Sequence, residues 1–211
     1  MCINTILFDL DGTLVDTAPD LAYALNYVLQ EEGYLQKPYE QVKPFVALGG
    51  KALIKFGFEC DESDAKFHQR HQRLLKIYTD NIDKFSQPFD QITTLLNNLK
   101  RKNMYWGVVT NKPEGLSKLL IDKLNLQPDV IVGGDTLAFN KPHPAPLLYA
   151  CAQLGVLPKN CLFVGDDQND MLAGRSAQIK TVAVRYGYGD VKKDWNYDYL
   201  INSSEESLEL I

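Results

Sequence analysis

The stretch FDLDGTLVDT, from Phe8 to Thr17, closes an apolar, strand-like run with Asp9, then Asp11, then Asp16. Carboxylates repel one another, and apolar strands seldom finish by collecting them. A divalent cation resolves the conflict. Magnesium takes oxygen ligands, and one or two protein carboxylates usually hold it while water and substrate phosphate complete the shell. Three later segments carry groups that suit the same chemistry. VVTNK offers Thr110, Asn111 and Lys112, FNKPHP offers Lys141, and VGDDQND offers Asp166, Asp167 and Asp170. Gly12 permits a tight turn that swings Asp11 over the place where Asp9 ends.

These groups need a scaffold that brings them together. Short β-like runs stand out at 2–9, 104–110, 129–134, 161–166 and 180–184. After the first, they alternate with segments of helical length and period. Ile92, Leu95, Leu96 and Leu99 follow the i, i+3, i+4, i+7 pattern, and Leu116, Leu119, Leu120 and Leu124 nearly do. Leu147, Leu148, Cys151 and Leu154 mark a third such face. Pro113 and Pro144 fall where a first helical turn should open. The alternation predicts an α/β fold, a Rossmann-like parallel sheet with helices on both faces. Ligands of such sheets gather beyond the carboxyl ends of the strands, and every candidate group above lies at such an end.

Residues 17–87 are far too long for an ordinary crossover. Leu21, Leu25, Val28 and Leu29 mark one helix there, and Asp61 to Thr79 reads as another. The expected organisation is a catalytic core of 1–16 and 88–211 with an inserted α-helical cap domain of 17–87. The two chain crossings would form a hinge.

Plainer readings apply to single residues. Asp167 and Asp170 suit helix capping as well as catalysis, and Lys141 alone could be a solvated loop residue. His68 and His71, three apart on a probable helix with no third ligand near, read as a solvated face. Cys2, Cys60, Cys151 and Cys161 are scattered and form no metal-type pair. With no apolar leader or long apolar span, these features predict a cytoplasmic chain with no membrane partner. A net charge of -5 and the lack of a basic run argue against nucleic acid as a partner. An anionic substrate would then need a locally positive site.

DLDGT at 9–13, Thr110, Lys141 and GDDQND at 165–170, in this order and each at a strand end, resemble the motifs of the haloacid dehalogenase superfamily of phosphatases. The resemblance spans Cys2 to about Val184, and the insert fits the family's helical cap. It implies Asp9 as nucleophile, forming an aspartyl-phosphate, and Asp11 as general acid and base. Asp9, the Asp11 carbonyl and Asp166 would ligate Mg2+. Thr110 and the Asn111 amide would hold phosphoryl oxygens, and Lys141 would orient Asp9. The acid at Asp11 favours C–O–P hydrolysis over the chemistry of relatives that lack it. Asp167 stands where related phosphatases often carry a small hydroxyl residue, which leaves it as a cap, a group behind the metal ligands or an alternative ligand, while Asp170 reads as a cap or a group behind those ligands.

The opening FDLDGTLVDTAPDL resembles phosphoglycolate phosphatases, implying hydrolysis of 2-phosphoglycolate by a monomer or homodimer. In the cap, Gly49 and Gly50 precede an apolar helix, whose N-terminal amides could meet an anion. Lys51 reads either as a contact for a substrate carboxylate or as an ordinary surface residue. Phosphoglycolate phosphatases usually carry Gly–Asn–Gly where this chain has Leu48–Gly49–Gly50. The similar N-acetylmuramic acid 6-phosphate phosphatases share the TAPD opening. Phosphoryl transfer of the β-phosphoglucomutase kind and a catalytically silent binding module are the other readings. A receiver domain also forms an aspartyl-phosphate, but the long insert and Asp11 exclude it.

Overall fold

The computed structural model describes residues 3–211, so Cys2, the first residue of the earliest expected strand, lies outside the described residues. Along the chain run β1 (Thr5–Phe8), β2 (Val15–Asp16), α1 (Ala18–Glu31), α2 (Tyr39–Val46), α3 (Gly50–Phe58), α4 (Phe67–Asp80), β3 (Gln87–Pro88) and α5 (Ile92–Arg101). Then follow β4 (Tyr105–Val109), α6 (Glu114–Lys123), β5 (Val130–Val132), α7 (Ala145–Leu154), β6 (Cys161–Gly165), α8 (Gln168–Ser176), β7 (Lys180–Val184) and β8 (Tyr199–Ile201). Two compact units emerge, Met1–Asp16 with Pro88–Ile211, and Thr17–Gln87.

In the first unit a six-stranded sheet has the order β5-β4-β1-β6-β7-β8. All its pairings are parallel. Every residue of β1 is buried, as are all five of β6, which is why both read as continuous apolar runs rather than alternating ones. The chain builds β4 and β5 on one side of β1, then returns to build β6 on the other. The switch point therefore lies between β1 and β6, where open parallel sheets leave a crevice. One face of the sheet packs Leu7, Val109, Val132 and Phe163 against Leu147 and Cys151 of α7 and Ala173 of α8.

The helix faces follow the apolar period, with local shifts. Ile92, Leu95, Leu96 and Leu99 are all buried on α5. On α6 the buried residues are Ser117, Leu120 and Ile121, and on α7 the exposed Leu148 gives way to Pro146 and Ala150. Pro113 and Pro144 stand one residue before their helices as N-caps, not inside the first turn. Strand β8 was not expected. It is a three-residue edge strand beside β7, too short for an alternating pattern to register against the Asp and Asn residues around it.

The second unit is helical. Leu25, Leu29, Leu53, Ile54, Phe67 and Leu74 are fully buried in its interior. The expected helix from Asp61 begins instead at Phe67. Asp61 accepts the Ser63 N–H at 2.8 Å and Asp64 accepts the Lys66 N–H at 2.7 Å. Such side-chain turns compete with helical hydrogen bonding and hold residues 61–66 out of the helix. Arg70 lies almost wholly buried, its guanidinium 4.0 Å from the Phe58 ring centroid and bonded to both oxygens of Glu32.

Asp20, in the first turn of α1, is fully buried and accepts the N–H groups of Phe85 at 3.0 Å and Ser86 at 2.8 Å. An Asp20→Ala variant strips both donors of their acceptor. It is expected to lose about 1–3 kcal/mol of stability, read from urea unfolding curves.

Candidate active site

The carboxyl ends of β1, β4 and β6 and the loop after β5 deliver their polar groups to one place in the first unit. Immediately after β1, the Asp9 N–H still donates to Val164 O on β6 at 2.9 Å. This last rung of the ladder sets Asp9 beside the end of β6. The chain then folds back sharply, with Gly12 N–H donating to Val15 O at 3.0 Å. Gly12 has a φ of +84°, and a Cβ there would lie 2.3 Å from Asp166 Oδ2. Conformation and space both demand glycine.

Lys141 is the centre of the arrangement. Its buried ammonium lies 2.7 Å from Asp170 Oδ1 and 2.9 Å from Asp9 Oδ1. The latter approach is an ion pair without hydrogen-bond alignment, so the buried Asp9 Oδ1 lacks a hydrogen-bond donor. Asn111 fixes the Lys141 backbone, donating through Nδ2 to its carbonyl at 2.9 Å and accepting its N–H through Oδ1 at 3.0 Å. The Asn111 side chain is thus engaged in holding the lysine loop. Thr110 is buried at the end of β4, its N–H bonded to Val132 O and its Oγ1 accepting from Lys112 N–H.

Asp166 is buried and accepts on both oxygens. Thr13 Oγ1 donates to Oδ1 at 2.9 Å, and Tyr188 N–H donates to Oδ2 at 2.8 Å. Asp167 is the N-cap of α8, its Oδ1 accepting the Asn169 N–H at 2.8 Å. Asp170 completes that capping box by accepting the Asp167 N–H at 3.1 Å, while its other oxygen meets Lys141. Asp11 pairs with Lys112, whose nearly buried ammonium donates to its Oδ1 at 2.8 Å. Lys51 belongs to the other unit, on α3, where it forms an exposed pair with Glu62 at 3.2 Å.

A family model described as haloacid dehalogenase-like hydrolase matches residues 6–184 of this chain. The chain belongs to that family. Among relatives, it is 38% identical over 211 residues to the phosphoglycolate phosphatase of Xanthomonas campestris pv. campestris strain 8004, covering 98% of this chain and 95% of the relative. It is 34% identical over 216 residues to the N-acetylmuramic acid 6-phosphate phosphatase of Pseudomonas aeruginosa, covering 100% and 96%. A crystal structure described as a predicted phosphoglycolate phosphatase from Haemophilus somnus superposes with a TM-score of 0.84 at 30% identity, over 99% of this chain and 97% of that one.

Within this haloacid dehalogenase-like site, carboxylate oxygens of Asp9, Asp166 and Asp170 lie within 4.8 Å of one another. Burial works against the charge on Lys141, but Asp170 and Asp9 hold its ammonium above the ordinary lysine range. Burial, and then the Asp9 charge, push Asp166 up to about 7, against the pull of its donors Tyr188 and Thr13. Burial likewise raises Asp170 well above its ordinary value while the Lys141 charge opposes it. One ammonium does not balance this group. Three closely spaced carboxylates, an all-oxygen donor set, fit a hard divalent cation.

Thr13, Tyr188 and Gly189 support the site but were not singled out from the sequence, whereas Lys112 was named with Thr110 and Asn111 without a role of its own. Thr13 sits inside DLDGT, so adjacency was its only signal. Tyr188 and Gly189 lie in a loop after β7 with no motif of their own.

The raised Asp166 has a consequence for the metal-free protein. An unperturbed aspartate titrates near 3.8 and Asp166 near 7. Between these values the folded chain holds a proton that the unfolded chain has released, so stability falls as pH rises through that window. In EDTA, the thermal midpoint is expected to fall between about pH 5 and pH 7.5 from this group. Magnesium should raise it more at the upper end, because cation and proton compete for Asp166. A magnesium shift independent of pH would contradict that competition.

Proposed function

We propose that this protein hydrolyses small phosphate monoesters in two steps through an aspartyl-phosphate on Asp9. The observation that carries the reading is Asp9 itself. Its carboxylate stands at a strand end, with Lys141 2.9 Å from one oxygen and Asp166 within metal-sharing reach. A carboxylate is already ionised at neutral pH and needs no activating base.

In the first step an Asp9 oxygen bonds to phosphorus as the bond from phosphorus to the ester oxygen breaks. Asp11 gives a proton to the leaving alkoxide. In the second, Asp11 takes a proton from water as the water oxygen attacks phosphorus, and the bond to Asp9 breaks to release phosphate. Lys112 restrains Asp11 through their 2.8 Å pair, and Lys141 offsets negative charge on Asp9 and the phosphoryl group. Thr110 and the Asn111 backbone amide contribute further phosphoryl contacts, while the Asn111 side chain keeps Lys141 in place. Asp9, Asp166 and the Asp11 carbonyl would hold Mg2+. Bound there, the ion supplies charge neutralisation and a template for phosphoryl oxygens.

The preferred substrate in this reading is 2-phosphoglycolate. It is supported by the likeness to the Xanthomonas phosphoglycolate phosphatase and to the Haemophilus protein described as a predicted one. The unit Thr17–Gln87 would act as the specificity cap, with the start of α3 at Gly50 and Lys51 as its substrate-facing part. The exposed Lys51–Glu62 pair is worth about 0–1 kcal/mol, little enough for a substrate carboxylate to displace. N-acetylmuramic acid 6-phosphate is the second reading, favoured by the Pseudomonas relative that aligns with the whole chain.

A panel of 2-phosphoglycolate, N-acetylmuramic acid 6-phosphate, β-glucose 1-phosphate and p-nitrophenyl phosphate, ranked by kcat/KM with magnesium, tests these assignments. The first is expected to rank highest, and a top rank for another ester reassigns the substrate. Absence of hydrolysis across the panel would leave the binding-module reading standing. Asp9→Asn is expected to abolish turnover with the fold intact, and full retained rate would refute the nucleophile. Asp11→Asn should slow alkyl phosphates more than p-nitrophenyl phosphate, whose leaving group needs little protonation. Equal losses would count against the acid role.

A further inference from the structure

We propose that Tyr188 is a positioning residue for Asp166, its hydroxyl anchoring to Asp16 the loop whose backbone N–H groups hold the metal carboxylate. The inference rests on the reading of Asp166 as a metal ligand. Each Asp166 oxygen is held from a different part of the chain. Thr13 serves Oδ1 from the turn after β1. Tyr188 N–H at 2.8 Å and Gly189 N–H at 3.4 Å serve Oδ2 from the loop after β7. The first donor is set by the tight turn around Gly12. The others belong to a segment without helix or strand, and such a segment needs an anchor of its own.

Tyr188 supplies that anchor. Its hydroxyl donates to Asp16 Oδ1 at 2.8 Å, a charge-assisted bond of the stronger class. Its ring lies 6.3 Å from that of Phe89, which also packs against Tyr186 at 5.1 Å. The loop backbone presses close to Asp166 on either side of the tyrosine. A Cβ on Gly187 would lie 2.4 Å from Asp166 Cβ, and one on Gly189 would lie 1.9 Å from Asp166 O. The loop backbone and Asp166 are therefore packed together with no room for a side chain at either glycine. Asp16, at the other end of the tie, is the last residue of the first unit before the chain enters the second. Outer-shell groups of this kind orient ligating carboxylates, and their loss typically costs about 10–100-fold in metal affinity.

The test uses Mn2+ as probe, with free Mn2+ read by electron paramagnetic resonance, on folded variants checked by circular dichroism. Tyr188→Phe removes the hydroxyl and keeps both the ring and the N–H. It is expected to weaken Mn2+ binding about tenfold, and Asp16→Ala should do the same. Asp16→Asn keeps an acceptor and should restore most of the loss. The double variant Tyr188→Phe/Asp16→Ala should bind no more weakly than either single one, since both break a single bond. The Mg2+ concentration giving half-maximal phosphatase rate should rise by a similar factor in Tyr188→Phe. Asp166→Asn is the control. If it binds Mn2+ like the wild type, the metal reading itself fails. If it loses Mn2+ while Tyr188→Phe retains wild-type affinity, the inference about Tyr188 fails alone. Additive losses in the double variant would also overturn it.

Discussion

Lys141 places a single positive charge in a pocket that collects several negative ones, and the site is organised around that imbalance. Its ammonium reaches Asp9 and Asp170 at 2.9 and 2.7 Å, with Asp166 gathered into the same group. Burying ionised groups is costly unless they are paired and hydrogen-bonded. The surrounding structure meets that demand point by point. Asn111 clamps the lysine backbone through two bonds, the α8 capping box holds Asp170, and Thr13 and Tyr188 hold Asp166. One ammonium among three carboxylates leaves an excess of negative charge at this strand edge.

The sheet turns this constraint into geometry. Phe8 pairs with Val164 in the β1–β6 register, and the Asp9 N–H adds one more bond to Val164. Two neighbouring parallel strands thus end level, and the residues just beyond them meet. Glycine then keeps the space open. A Cβ on Gly12 would strike Asp166, and one on Gly165 would come within 2.3 Å of Asp170 Oδ2. Carboxylates packed this closely against backbone have few alternative rotamers.

The second unit solves a separate problem. It has its own apolar interior, a buried Arg70 satisfied by Glu32 and by the faces of aromatic rings, and the Asp20 contact that fastens residues 85 and 86 to α1. Relatives that share this chain's full length carry names for two different phosphate esters.

The parallel sheet, its helices and the clustering of Asp9, Lys141 and Asp166 were legible because they rest on local patterns: apolar runs, helical period and polar residues at strand ends. The helix start at Phe67 and the edge strand β8 were not. The first turned on aspartates bonding to nearby backbone, and the second on a strand too short to carry a period. In the site, sequence order alone could not tell that the Asn111 side chain would clamp Lys141. Nor could it tell that Lys112 would reach Asp11, or that the loop at Tyr188 would close on Asp166. Those contacts join residues far apart along the chain, and only tertiary packing sets such distances. Residue types and local period chose the chemistry and the scaffold. The register of the sheet and the close packing of its loops decided which groups share a proton, a charge or a bond.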